Sequence, residues 1–243
     1  MLQKKNLLLI VAAVIAVVCI GGGITAAHFV RDARENEEKL YTEVARITAA
    51  AEADVFDEDA FNELLSRTVC TGSCAKAETA VKAYVRDLYN CFDEMARISA
   101  SSELPYLISA DNIGADGPAF ETSLAAIRDA GAKTSDVLQR TQTLLQSETV
   151  QSYMEKQGAG EKSAAMFEKV FAKPFQAKSA DVLAKMQTMH DGFMESADGC
   201  TKVLEYLRDN PNDWYMEDGS LLFVSDAAAS RFSELQGFIG AGA

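Results

Sequence analysis

A group of soft metal ligands lies in the second half of the chain. Met186, Met189, His190 and Met194 fall close together, and His190 is the only histidine after the apolar N-terminal segment. Thioether sulfur and imidazole nitrogen are ligands that suit Cu(I). On a helix, Met186 and His190 would occupy the apolar stripe with Met189 and Met194 at its edges, which is more typical of a packed core. These four residues are ligand or metal candidates, and no cofactor is expected.

Four cysteines follow the N-terminal segment, namely Cys70, Cys74, Cys91 and Cys200. An even number in an oxidising compartment favours disulfides. On a continuous helix, Cys91 would lie 17 residues from Cys74, or about 25 Å along the axis, whereas a disulfide needs Cα atoms within about 7 Å. This predicts one bridge between Cys70 and Cys74 and a second between Cys91 and Cys200. The alternative is that Cys91 and Cys200 are free, small apolar residues in a helical stripe.

The spacing Cys70-x3-Cys74 is similar to that of the copper-binding loop in copper chaperones of the cytochrome oxidase assembly type. The resemblance covers five residues and implies a copper site. Those chaperones are similar to thioredoxin in fold, and this sequence does not predict their order of strands and helices. A local disulfide is therefore the favoured interpretation.

Motifs of common enzymes are not found in the sequence. There is no Gly-x-Ser-x-Gly or His-Glu-x-x-His, and a Ser-His-Asp set could use only His190. Residues 158–163 differ from a phosphate-binding loop, because Glu161 stands where glycine must precede the lysine. These observations predict a protein that is not an enzyme, and leave carboxylate-based catalysis as the enzymatic alternative.

The charge of the chain is strongly negative after its first residues. From Arg31 onward, 21 basic residues stand against 36 acidic ones, a formal charge of −15. Such a surface repels nucleic acid phosphates and anionic lipid headgroups, so neither is expected as a partner of the folded part.

The N-terminal segment predicts a membrane anchor over residues 1–30. Leu7 to Val30 are 24 consecutive uncharged and mostly apolar residues, which as a helix would span about 36 Å against roughly 30 Å of hydrocarbon. We expect a single-pass protein with the short N-terminal tail in the cytoplasm and the remainder extracytoplasmic. Cleavage near Ala27 by a signal peptidase, giving a secreted protein, is the alternative.

Beyond Arg31 the apolar spacing is helical almost throughout. Two long series step by three and four residues, from Phe120 to Leu145 and from Leu183 to Leu207. They predict an antiparallel multi-helix bundle over residues 31–209. Asp57 is a predicted N-cap.

Two stretches near prolines are predicted to interrupt the helices. Residues 101–118 are expected to be irregular, with Pro118 opening the next helix. Pro174 is expected to kink a later helix.

The C-terminal residues 210–243 predict a small β-hairpin and a last helix packed on the bundle. Asp218-Gly219 has the composition of a two-residue hairpin turn, which would place Met216 opposite Leu221 and Trp214 opposite Phe223. Those four side chains would share one face and cover the bundle. Ser225 is the predicted N-cap of the last helix.

These features lead to one functional prediction and two alternatives. The first is a noncatalytic, membrane-tethered extracytoplasmic module that binds a protein or envelope partner. The second is a sensor domain that binds a small molecule or metal ion near His190 and Met186 and works through a partner. The third is an enzyme that uses paired carboxylates.

Overall fold

The computed structural model describes residues 31–51, 53 and 55–240, which form a helical bundle with a two-stranded antiparallel hairpin near the C-terminus. The predicted mainly helical fold with one hairpin is confirmed. None of the helices in these ranges has the length and apolar character that crossing a bilayer requires. The predicted anchor over residues 1–30 and the cleavage site near Ala27 lie outside the described ranges.

The helices and strands follow one another in this order: α1 Arg31–Ala51, α2 Glu58–Ser66, α3 Ser73–Ser101, α4 Leu104–Leu107, α5 Ala110–Asp116, α6 Glu121–Leu144, α7 Ser147–Glu155, α8 Glu161–Phe167, a π-helical turn Glu168–Ala172, α9 Lys173–Gln176, α10 Ser179–Asp209, β1 Trp214–Glu217, β2 Ser220–Phe223 and α11 Asp226–Gly240.

Two of the helices begin at the predicted capping residues. The Asp57 carboxylate accepts a hydrogen bond from the Ala60 N–H at 2.9 Å, and the Ser225 hydroxyl accepts one from the Ala228 N–H at 3.2 Å. Each side chain satisfies an N–H group that the first helical turn leaves without a partner. Both predicted N-caps are confirmed.

The stretch 101–118 is not irregular as predicted, because it contains α4 and α5. Ser109 caps α5 by accepting a hydrogen bond from the Asn112 N–H at 3.3 Å. Pro118 follows a cis peptide bond and does not open α6, which begins at Glu121. The Asp116 carboxylate accepts from the Ser123 N–H at 2.8 Å and from the Ser123 hydroxyl at 2.7 Å. Asp116 therefore caps the first turn of α6, although it lies several residues before the start of that helix in the sequence.

The segment around Pro174 consists of separate helical elements and does not form the one kinked helix that was predicted. A π-helical turn precedes α9, which contains Pro174, and α10 starts only at Ser179. Proline has no N–H to donate, so the regular helical hydrogen-bond pattern must change near it. The sequence also did not predict α7, which lies between the end of α6 and the turn at Gly158.

The described residues fall into two compact units, whose boundaries lie inside α3, α6 and α10. The first comprises the described residues up to Glu94 together with Leu138–Met186, and the second comprises Met95–Val137 together with the described residues from Gln187 onward. The predicted domain bounds at residues 31–209 and 210–243 stay a prediction.

An aromatic cluster forms part of the core of the first unit. The ring of Tyr84 lies 5.2 Å from Tyr153, 5.3 Å from Phe171 and 4.9 Å from Phe175 between centroids, in edge-to-face arrangements. Tyr84 is fully buried, and its hydroxyl donates to the Leu144 carbonyl at 3.1 Å. Edge-to-face pairs of this kind contribute attraction beyond the area they bury.

The hairpin covers the core of the second unit with the predicted face. Trp214 pairs with Phe223 and Met216 with Leu221, so the predicted register is confirmed. These four side chains pack against a core formed by α4, α5, α6, α10 and α11. The Trp214 indole N–H donates to the Leu207 carbonyl at 2.8 Å, which fixes the strand on α10.

Candidate functional site

The four ligand candidates occupy different environments. Met186 is fully buried in the first unit, whereas Met189, His190 and Met194 belong to the second. The Met194 side chain is 37% exposed, and its sulfur lies 3.9 Å from the Thr134 hydroxyl. In the ranges that the structure describes, no three His, Cys, Asp or Glu side chains are grouped to hold a metal ion. Metal binding by the methionines and His190 stays a prediction.

His190 lies in a chain of hydrogen bonds with a serine and an aspartate. Its Nε2 is 3.2 Å from the Ser135 Oγ, and its Nδ1 is 3.0 Å from the Asp191 Oδ1. The sequence predicted that any Ser-His-Asp set would have to use this histidine. The serine was not identifiable, because Ser135 lies on α6 and only the fold brings it to α10, whereas Asp191 directly follows His190 in the sequence.

The arrangement of Ser135 does not suit nucleophilic catalysis. Its hydroxyl also lies 2.9 Å from the Gly131 carbonyl and donates its proton there, whereas a nucleophilic serine must give that proton to the histidine. Ser135 is inside α6, where backbone N–H groups donate within the helix and do not form an oxyanion hole. The three residues link two helices on the surface of the second unit.

Four charged residues form a network in the first unit, in which Glu43, Glu78 and Lys82 are buried and Arg67 is partly exposed. Lys82 donates to the Glu43 carboxylate at 2.8 Å, to the Glu78 carboxylate at 2.6 Å and to the Arg67 carbonyl at 2.7 Å. Arg67 in turn holds Glu43 with two hydrogen bonds, of 2.9 and 2.6 Å. Glu43 and Glu78 are each 1% exposed. All three ammonium donors of Lys82 have acceptors, as burial of an ion pair requires.

The same network holds the loop that carries the first cysteine pair. Glu78 also accepts from the backbone N–H groups of Val69 and Cys70, at 3.1 and 2.8 Å. Cys70 and Cys74 are joined, with Cα atoms 5.3 Å apart, so the predicted local disulfide is confirmed. The Cys74 sulfur lies 3.1 Å from the carbonyl oxygen of Asn36 on α1. Both sulfurs are buried, and this arrangement gives the bridge a structural role.

The Glu43 carboxylate remains ionised although it is buried. Burial alone would raise its pKa, but the hydrogen bonds and charges of Arg67 and Lys82 outweigh this effect and hold the pKa below its ordinary value. The Glu43 carboxylate therefore stabilises the folded state at neutral pH.

The second predicted bridge is absent, because Cys91 and Cys200 are both free and buried. The Cys200 thiol donates to the Leu104 carbonyl at 3.5 Å. Burial raises the pKa of the Cys91 thiol and raises that of Cys200 to about 11. The prediction of a Cys91–Cys200 bridge was wrong, and the two residues act as small apolar side chains with weak donors.

The outward side of the hairpin carries three exposed apolar residues, which we call the outer hairpin face: Tyr215, Leu222 and Val224. Their exposed fractions are 47%, 36% and 66%. Tyr215 and Leu222 are directly opposite each other on β1 and β2, so their side chains share one side of the sheet. Val224 continues that side two residues beyond Leu222. The sequence correctly predicted which side chains form the inner face of the hairpin, but it did not indicate a function for the outer hairpin face.

A shallow depression of about 370 Å³ lies in the first unit, beside the turn between α7 and α8. Met154 and Phe167 contribute apolar surface, and Glu155 and Glu168 contribute carboxylates. Its lining includes none of the four ligand candidates. The turn itself leads into α8 with Gly160 at the N-cap.

Neither a family model, nor a curated protein, nor a solved structure matches this chain. The function must therefore be inferred from the surfaces and side-chain groups described above.

Proposed function

We propose that this protein is a noncatalytic, membrane-tethered extracytoplasmic module that binds a protein partner through the outer hairpin face. The N-terminal segment supplies the tether in this proposal, with its short tail in the cytoplasm. A tether of this kind raises the concentration of the module near partners in the same membrane or envelope layer.

The observation that carries the proposal is the exposure of Tyr215, Leu222 and Val224 together on a sheet whose other face is fixed to the core. Scattered apolar residues are ordinary on protein surfaces, but adjacent ones on a rigid element are typical of interaction sites. Tyrosine is enriched among the residues that contribute most of the binding energy at protein interfaces.

The interpretation as a binding module also agrees with the environments of the chemically capable residues. The buried carboxylates Glu43 and Glu78 are saturated by lysine, arginine and backbone donors. The Ser135 hydroxyl donates to a helix carbonyl. Each of these groups supports the fold of its own unit.

Site-specific photo-crosslinking in cells that naturally produce the chain tests the proposal. A photoreactive residue at position 215 or 222 should yield the same discrete adduct, because both side chains point to one side of the hairpin. Position 133 is the matched control, since Lys133 is also exposed in the second unit. Adducts at position 133 alone, or at none of these positions, would refute binding through the outer hairpin face.

The tethered topology has its own test. A thiol-reactive, membrane-impermeant probe should label a Tyr215→Cys variant in intact cells, because position 215 is exposed and on the far side of the membrane in this proposal. Labelling only after the cells are permeabilised would place the hairpin in the cytoplasm and overturn the topology.

A further inference from the structure

The hairpin offers backbone groups as well as side chains, and these define how a partner would bind. The Val224 N–H donates to the Asp213 carbonyl at 2.9 Å, which identifies Asp213 and Val224 as a hydrogen-bonded pair. In an antiparallel ladder such pairs alternate with pairs whose N–H and C=O groups point away from the partner strand. Trp214 and Met216 are therefore the β1 residues whose backbone groups point outward.

The outward edge of β1 is open in the described part of the chain, where the Trp214 and Met216 N–H groups have no acceptor. The other strand differs, because α5 and α11 lie against β2. Its Phe223 ring, for example, lies 4.9 Å from Phe232 of α11 between centroids. An additional strand is therefore better accommodated along β1 than along β2.

The β1 edge is also held rigidly, because its side chains are anchored in the core. The Trp214 indole donates to the Leu207 carbonyl, and the methyl group of Met216 lies close over Gly114 of α5. A pre-formed edge reduces the ordering that a binding segment must provide.

The negative charge around the hairpin favours some partner segments over others as strands that could pair with the β1 edge. Residues 209–226 contain five acidic residues and no lysine or arginine. On the outer side of β1, the alternation of the strand places Asp213, Tyr215 and Glu217 in a row. A partner strand opposite that row is favoured when it presents a basic, an apolar and a basic residue at alternate positions.

The same charges argue against pairing with a second copy of the chain. In an antiparallel dimer centred on Tyr215, Asp213 of one copy would lie opposite Glu217 of the other, and like charges directly opposite destabilise a sheet. An anionic membrane surface is disfavoured for the same reason.

We infer that the hairpin binds an extended, basic segment of a partner protein by adding it as a third strand along β1. This inference rests on the proposed function and specifies its partner. The Trp214 and Met216 backbone groups supply the hydrogen bonds, Tyr215 supplies the apolar contact, and Asp213 and Glu217 supply the charge preference.

The single tryptophan of the chain provides a direct test. Labelling the full chain with ¹⁵N-tryptophan gives one backbone N–H signal, at the open edge, and one indole signal, in the core. The probe is a seven-residue peptide with lysine, tyrosine and lysine at alternate positions and threonine elsewhere. The peptide should shift the Trp214 backbone signal strongly and the indole signal little, because only the backbone group gains an acceptor.

Two controls separate strand addition from charge attraction. The same peptide with glutamate in place of lysine should bind about tenfold more weakly or worse. Met216→Pro removes one outward N–H and should abolish the shift, whereas Met216→Ala loses the same core contact but keeps that N–H and should retain it. Glu217→Lys should weaken binding of the lysine peptide by about two- to fivefold.

The outcomes distinguish this inference from the proposed function. If cellular crosslinks form at positions 215 and 222 but the Trp214 backbone signal does not move, strand addition is wrong and the interaction module stands. Equal binding of the lysine and glutamate peptides would overturn the basic partner. If the crosslinks at positions 215 and 222 are missing as well, the proposed function is wrong together with the strand addition.

Discussion

Replacing Lys82 with methionine tests the buried charge network most directly. The substitution removes three hydrogen bonds, to Glu43, Glu78 and the Arg67 carbonyl, from a side chain that is 6% exposed. Breaking a buried ion pair costs about 3–5 kcal/mol. In the variant, Glu43 keeps its hydrogen bonds to Arg67 and Glu78 keeps two backbone donors. We therefore expect the free energy of unfolding to fall by about 3 kcal/mol, near the lower end of that range. For a chain of this size, that lowers Tm by about 6–12 °C.

Thermal unfolding of the purified full chain, followed by circular dichroism, measures this loss. Lys133→Met is the matched control, because Lys133 forms an ion pair of the same four-residue spacing with Asp129 at 2.6 Å, but both side chains are more than half exposed. Its expected effect is below about 1 kcal/mol, since exposed pairs contribute little. Equal shifts in Tm for the two variants would show that burial adds nothing to the contribution of Lys82.

Three further predictions concern the first unit and the free cysteines. Because the folded-state pKa of Glu43 is lowered, its contribution to stability is present above its ordinary pKa of 4.5 and is lost as the pH falls through the lower folded value. Glu43→Gln should therefore flatten the decline of Tm in acid. A decline of Tm with falling pH as steep as that of the unmodified protein would contradict this. Cys91 and Cys200 should react slowly with iodoacetamide in the native protein and fully in urea, because they are buried thiols with raised pKa values; a disulfide-linked peptide containing both would contradict the structure. Phe175→Ala should lower the free energy of unfolding, measured by chemical denaturation, by about 3–5 kcal/mol, because Phe175 is fully buried. Tyr106→Ala, at a side chain that is 51% exposed, should lower it by less than about 1 kcal/mol. Similar losses for both variants would show that the aromatic cluster is not closely packed.

Local sequence signals predicted the elements that depend on local chemistry. The hairpin register followed from Asp218-Gly219, and both residues have the positive φ values, 49° and 74°, that a type I′ turn requires. Asp57 and Ser225 cap their helices because a side-chain oxygen reaches an N–H three residues away. Such contacts need no knowledge of the rest of the fold.

The buried charge network could not be predicted in this way. Glu78 and Lys82 are four residues apart on α3, which is equally typical of an exposed helix pair. Glu43 and Arg67 come from other parts of the chain, and only packing brings them to Lys82. Burial of the charges is thus a property of the tertiary structure.

The error about Cys91 and Cys200 has a related cause. The length of α3 correctly kept Cys91 away from Cys74, and Cys200 was then the cysteine that remained. Excluding other partners does not bring two residues together. A bridge also requires side chains aimed at each other, which helical spacing along one segment does not establish.

The cysteine loop and the charges that hold it are coupled through shared hydrogen bonds. Lys82 contacts both carboxylates and the Arg67 carbonyl, so a change at one of these positions alters the hydrogen bonds of the others and substitutions here should not be additive. The joined cysteines lie between Arg67 and Glu78 in a fixed order, Arg-x2-Cys-x3-Cys-x3-Glu-x3-Lys. One short segment of sequence therefore contains both the disulfide and three of the four charges that hold its loop.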